Sequence, residues 1–230
     1  MLSTKAVSDK AVYTVHSIGW EPYWIVKYGG VSGIFSDVMK ELGKRVQIEL
    51  VASEPLPVLR AHKAFVEGDI ILECCINPAW RQEDGQGEVS LWSETVMTAE
   101  EVLIFPKGKS FIFSKPEDLS GKKVATIHGY AYFNEQYFER DDSVNNISLV
   151  RKVAQNRSDA GIIDRVELEY IYGHHEALEK TVVEIGPIFH FHELKLRIHS
   201  SKPEWVEIFN NAIMEMHRDG TMDSIIDSYL

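Results

Sequence analysis

"GIFSDVMKELGKRVQIELVASEPLPVLRAHKAFVEGDIILECC" (Gly33–Cys75) decides the fold class. Its first part sets Ile34, Val38, Met39 and Leu42 on one helical face directly after Gly33. "VQIELVA" (46–52) then alternates as a strand does. "EPLPVLRAHKAFVEG" predicts a second helix, with prolines in its first turn and Gly68 at its end. "DIILECC" (69–75) is the apolar run of a buried strand. Helices and strands in alternation mean a parallel sheet with helices on its faces.

Upstream, "WEPYWIVKYGG" (20–30) places Trp20, Tyr23 and Trp24 on a loop, where large rings more often wait for a partner than fill a core. Downstream, "RQEDGQGEVSLWSE" (81–94) is polar and glycine-bearing and is expected to be mostly loop, and "EEVLIFPKG" (100–108) a strand ended by Pro106. A second alternating set follows. "PEDLSGKKVATI" predicts a turn and a strand, "GYAYFNEQYFER" a helix opening at Gly129, "NISLV" a strand and "RKVAQN" a short helix. "DAGIID" (159–164) predicts a strand, "RVELEYIYG" a helix, and "TVVEIG" and "HFHELKLRIHS" further strands. The end, from Lys202, is helical: Trp205, Ile208, Phe209, Ile213 and Met216 form its apolar stripe, and Gly220 breaks it in two. Two α/β units result, with the break near residues 104–109, and ligands favour the interface of such units.

Composition narrows the function. The chain has 230 residues, 44% hydrophobic and 26% charged, which is globular. A net charge of -11 argues against nucleic acid, whose phosphates need clustered Lys and Arg. No apolar stretch is long enough to span a membrane. "MLSTKAVSDKAVYTV" lacks the apolar run of a signal peptide, so the protein is cytoplasmic or a leader has been removed. Cys74 and Cys75 are adjacent. Neighbouring strand residues point to opposite faces, so two buried free thiols are expected.

Five pieces, in this order, resemble the family 3 solute-binding proteins, the periplasmic amino-acid receptors of ABC transporters. They are "WEPYW…GGVSGIFSDVMKELGKR", "PLPVLRAHKAFVEGDIILECCINPAWR", "LSGKKVATIHGYAYF", "SDAGIIDRVELEYI" and "SSKPEWVEIFNNAIMEMHRDGTMDSIIDSYL". The resemblance covers about residues 12–230. It implies an α/β, two-lobed, type II periplasmic-binding-protein fold with two hinge crossings: lobe 1 from 12–104 and 198–230, lobe 2 from 105–197. It also implies capture of an amino acid or small carboxylate by lobe closure, a membrane permease as partner, a monomer, a periplasmic location, and neither cofactor nor catalysis. A sensor domain of a signalling protein and a cyclohexadienyl-dehydratase-like enzyme are the alternatives on the same fold. For the enzyme, His128 or Asp164 would be the acid.

By this resemblance Arg81, closing "NPAWR", grips the ligand's carboxylate, a task suited to a planar guanidinium fork. Asp164, at the end of "DAGIID", takes the ammonium, and Asp is also a favoured helix N-cap. Gly129, with Tyr130 and Ala131, lies where the family holds the ligand carboxylate, and backbone N–H groups opening a helix there suit an anion. Trp20 stacks on the ligand with Tyr23 nearby; Trp24 packs into its own lobe, and Trp80 and Trp92 are rim residues. Cys74 and Ile76 stand where related receptors carry serines, and Pro78 replaces a frequent threonine. Tyr130, Ala131 and Tyr132 replace a threonine and its polar neighbour. Fewer hydroxyls point to an unusual amino acid or another small carboxylate. The nine histidines, among them His190 with His192 and the run His174–His175–Glu176, match no zinc spacing and are read as solvated or packed.

Overall fold

The computed structural model describes residues 10–28, 30–175, 178 and 182–230. Residues 1–9, Gly29, Glu176 of the histidine run and Thr181 of "TVVEIG" fall outside them. The described chain forms two compact units: residues up to Thr98 with Glu193–Tyr229, and Ala99–His192 with Leu230. Strands and helices mix in both, the α/β class expected from the sequence.

The first unit holds β1 (Lys10–Thr14), β2 (Ile25–Lys27), β3 (Gly30–Ser32), α1 (Ile34–Val46), β4 (Glu49–Ala52), α2 (Val58–Val66) and β5 (Leu72–Ile76). β1 runs parallel to β4, with Val12 opposite Val51, and parallel to β5, with Tyr13 opposite Leu72. Helix α1 buries Ile34, Phe35, Val38, Met39 and Leu42, the face that the spacing marks. Helix α2 starts after Pro57, whose fixed φ suits a helix entry.

Two long strands, β6 (Ser90–Pro106) and β10 (Val183–His199), each begin in one unit and end in the other, so the chain crosses twice. β6 is longer than expected: it takes in "SLWSE", assigned above to a loop. The polar Ser93 sits there because its Oγ accepts a hydrogen bond from Leu196 N at 3.0 Å, a pairing no local pattern reveals. "TVVEIG" and "HFHELKLRIHS" are likewise not two strands but one, since Pro187 does not interrupt β10.

The second unit adds β7 (Lys123–Ile127), β8 (Glu139–Ser143), α3 (Asn146–Ala154), β9 (Ala160–Asp164) and α4 (Arg165–His174). β7 is parallel to both β8 and β9, and β9 is antiparallel to β6. Alternation along β6 divides the core. Val102 and Ile104 pack with Leu149, Val153 and Leu168, while Leu103 and Phe105 pack with Leu119, Phe138 and Phe189. Two expectations fail here. "NISLV" opens helix α3 rather than forming a strand, because Leu149, Val150 and Val153 share a helical face and Asn145 Oδ1 accepts from Ser148 N at 2.9 Å as an N-cap. "GYAYFNEQYFER" is not a helix either. Gly129 and Asn134 take positive φ (82° and 52°), which breaks any helix, and the tail of the segment enters β8.

The chain closes with α5 (Glu204–Arg218) and α6 (Thr221–Asp227), separated by Gly220 at φ 77°. Both belong to the first unit. Tyr229 Oη donates to Asp37 Oδ2 at 2.7 Å, and Arg45 Nη2 lies 2.8 Å from Asp219.

Candidate functional site

In the first unit the loop 20–24 docks on the N-terminus of α1. Ile34 N and Phe35 N, two of the helix's orphan donors, give hydrogen bonds of 3.0 Å to the carbonyls of Pro22 and Tyr23. Gly33 makes this approach possible: at φ 112° a Cβ would stand 2.5 Å from Tyr23 O and 2.7 Å from Pro22 O. The loop's rings therefore differ in fate. Tyr23 is fully buried and stacks on Phe35 at 5.0 Å, and Trp24, also buried, donates its Nε1–H to Cys74 O at 3.0 Å. Trp20 is half-buried, 4.4 Å from Tyr23 and 6.2 Å from the exposed Trp80.

Strand β5 carries Cys74 and Ile76, both buried. Cys74 and Cys75 are bonded as a disulfide, not free thiols. The peptide between them is cis, with Cα atoms 3.0 Å apart, so the alternation of a trans strand does not separate their side chains.

Asn77 Oδ1 then caps a short 3-10 helix (Pro78–Arg81) by accepting from Ala79 N at 2.9 Å. This turn returns Arg81 onto β5. Arg81 is buried, and Glu73 holds one side of its guanidinium: Nη2 donates to Oε1 at 2.7 Å, and Nε lies 3.2 Å from both carboxylate oxygens. Nη1 donates to Trp80 O at 3.0 Å. An arginine has five N–H groups. With Nε, one on Nη2 and one on Nη1 engaged, one remains on each terminal nitrogen among the described residues.

Glu73 is shared. Arg197, fully buried on β10, donates from Nη1 to Glu73 Oε2 at 2.9 Å and lies 3.7 Å above the Phe65 ring. Ser90 Oγ accepts from its Nε at 2.7 Å, and Gln86 O and Oε1 accept from Nη2 and Nη1 at 3.1 and 3.3 Å. Burial alone would raise the Glu73 carboxyl, but His16 and Arg81 beside it hold it well below the usual carboxylate range. Burial pushes His62 down to about 4, with Arg81 adding to the effect. The Arg197–Glu73–Arg81 trio has a formal charge of +1, carried at its outer end by Arg81.

In the second unit the carboxyl ends of β7, β8 and β9 share one edge, where ligands of α/β folds collect. Gly129 lies in a turn at this edge and does not open a helix as expected. Arg140 fixes the turn, donating to Tyr130 O at 2.8 Å and Ile127 O at 3.0 Å while paired with Glu135 and Asp142. The Tyr130 side chain is exposed, as is Ala131, and His128 is 83% exposed beside Asp142. Asp164 is buried and caps α4, its Oδ1 accepting from Glu167 N at 3.0 Å.

Glu167, Glu73 and Arg197 escaped the sequence reading. Glu167 is buried and accepts from Asn146 Nδ2. Asp164 and Glu167 form a D-x-x-E pattern, the spacing of a capping box, which could have marked it. Glu73 and Arg197 are lone charges inside apolar strands, and such charges are almost never buried unpaired. That rule asks for a partner without naming it.

A family model described as bacterial extracellular solute-binding proteins, family 3, matches residues 13–230, and the chain belongs to that family. No curated protein sequence matches. The fold is that of solved two-lobed binding proteins. The L-cystine solute receptor of Neisseria gonorrhoeae, in its unliganded open conformation, is 16% identical with TM-score 0.74, over 97% of this chain and 93% of that one. The GluR0 ligand-binding core in complex with L-glutamate is 16% identical with TM-score 0.73, over 99% and 100%. An ancestral amino-acid-binding protein, described as a precursor of cyclohexadienyl dehydratase, is 20% identical with TM-score 0.66, over 96% and 95%.

Proposed function

We propose that the protein captures a small amino acid or related carboxylate by closure of its two units and presents it, in the periplasm, to an ABC-transporter permease. The observation that carries this reading is the presentation of Arg81. Glu73 grips the guanidinium from one side, Arg197 balances Glu73, and the two N–H groups left on Nη1 and Nη2 suit a carboxylate. The half-buried Trp20 offers the first unit's flat wall, and the buried Tyr23, Cys74 and Ile76 back it from behind. Gly129, Tyr130, Ala131 and Asp164 make up the second unit's, with Asp164 taking the ammonium. A guest that touches both sets binds the closed form better and so shifts the equilibrium toward it.

The test is a thermal-shift screen of amino acids and small carboxylates, followed by calorimetry of the hits on Arg81→Lys. Binding that Arg81→Lys leaves unchanged removes Arg81 from the site. The enzymatic alternative draws on the likeness to a dehydratase precursor. Incubation with prephenate, followed by phenylpyruvate absorbance, separates the two.

A further inference from the structure

His16 follows β1, His62 lies in the middle of α2, and Glu73 stands on β5. These three elements of the first unit bring one donor atom from each residue within 4.8 Å of the others. The Nε2 atoms of both histidines are buried and make no hydrogen bond among the described residues. His16 Nε2 approaches Glu73 Oε1 to 3.4 Å without hydrogen-bond alignment. Two donors bonded at about 2.0–2.1 Å to one tetrahedral ion stand roughly 3.4 Å apart. Buried ring nitrogens without a partner are rare enough to demand a reason, and an ion is one.

We propose that His16, His62 and Glu73 form a binding site for a first-row transition-metal dication of the nickel, copper and zinc class. The site shares Glu73 with the proposed grip on the solute at Arg81, but it does not depend on that reading. Glu73 can serve although two arginines hold it. A carboxylate offers about four lone-pair positions. Arg81 Nη2 donates to Oε1, Arg197 Nη1 donates to Oε2, and Arg81 Nε is shared between the two oxygens at 3.2 Å each, so three N–H donors meet four positions and Oε1, 3.4 Å from His16 Nε2, keeps a share of one. The arginines then act as outer partners that orient the ligating carboxylate.

The same charges set the selectivity. Glu73 with two guanidiniums has a net charge of +1, so the site gives little to ions that depend on carboxylate charge, such as calcium and magnesium. It favours metals whose bond to imidazole nitrogen is strong, which follow the order nickel, copper, zinc at the upper end of the series. The histidines marked by the sequence are placed elsewhere: His190 packs against His192, which pairs with Glu101.

The experiment uses untagged protein stripped with a chelator, then zinc, nickel, magnesium or calcium chloride in a thermal-shift assay. Zinc and nickel should raise the melting temperature, reversibly with chelator, while magnesium and calcium should not. His16→Gln and His62→Gln should each weaken zinc binding at least ten-fold in calorimetry. Nitrogen-15 NMR of the imidazoles gives a check that needs no variant: on zinc titration the His16 and His62 resonances should move first among the nine histidines. No zinc or nickel effect, binding unaltered in the folded variants, or movement confined to other histidines would each overturn the proposal.

Discussion

Arg81 has two duties that pull its mutations apart. It closes a buried ion pair with Glu73, and it is the proposed grip on a carboxylate. Arg81→Ala leaves Glu73 still paired with Arg197, so its cost in stability should fall below the about 3–5 kcal/mol of a buried charge left without a partner. Its effect on affinity, about 2–5 kcal/mol, has to be read on the folded fraction. Arg81→Lys keeps the charge beside Glu73 but loses the planar fork. We expect it to melt close to the parent while binding the screened ligand at least ten-fold more weakly in calorimetry. The neighbouring His62 makes a separate prediction. Its folded pKa of about 4 lies below the usual 6.5, so between those values the unfolded chain takes up a proton that the folded one refuses. His62 therefore contributes its full stability above pH 6.5 and loses it as the pH falls toward 4. In chelator, urea midpoints of the parent should fall between pH 6.5 and 5, above the range where most carboxylates titrate, and those of His62→Gln should fall less. At this scale the sequence pointed to Arg81 and Asp164 as charged ends of motifs. It could not show that Glu73 occupies two of the arginine's five donors, because a short 3-10 turn brings residue 81 back onto residue 73 and the sheet brings residue 197 beside it.

Elements were legible where one periodicity ran long enough. The α1 stripe, the proline entry to α2 and the apolar β5 and β9 are all in the described fold where the pattern puts them. Two of the misreadings fall at residues 128–150, where short polar elements carry few apolar markers. β8, "ERDDS", has no apolar residue at all; it is held by its ladder to β7 and by the Asp141–Lys152 pair, with Lys152 Nζ 2.8 Å from Asp141 Oδ1. The junction of the aromatic loop with α1 offers the sharpest element-scale test. Gly33→Ala forces a Cβ toward two carbonyls at a backbone conformation open in practice only to glycine. The strain alone is worth about 1–3 kcal/mol, and relief by withdrawing the loop would expose Tyr23 and uncap Ile34 N and Phe35 N. A lowered urea midpoint together with a changed environment for Trp20 in tryptophan fluorescence is the expected result; a midpoint equal to the parent's would mean that the loop does not hold the helix start.

For the whole molecule, the two crossings by β6 and β10 make capture and stability one measurement. The chain leaves the first unit, builds the second and returns, so a ligand that bridged both, as proposed, would restrain two bodies joined by two strands. A ligand of the folded form at 100 times its dissociation constant adds about 2.7 kcal/mol. For a chain of this length each kcal/mol moves the melting point by about 2–4 °C, so a true solute should raise it by roughly 5–11 °C. A guest held by one unit alone could give the same shift, which is why the melt must be paired with a measure of shape. Closure predicts that the saturating ligand also lowers the radius of gyration in small-angle X-ray scattering. It predicts further that a fragment carrying the carboxylate but no ammonium gives a smaller melting shift and no contraction, because it engages Arg81 without Asp164. Equal contraction by the fragment and the full ligand would leave Asp164 as a helix cap only, and would move recognition in the second unit to other residues along the ends of β7, β8 and β9.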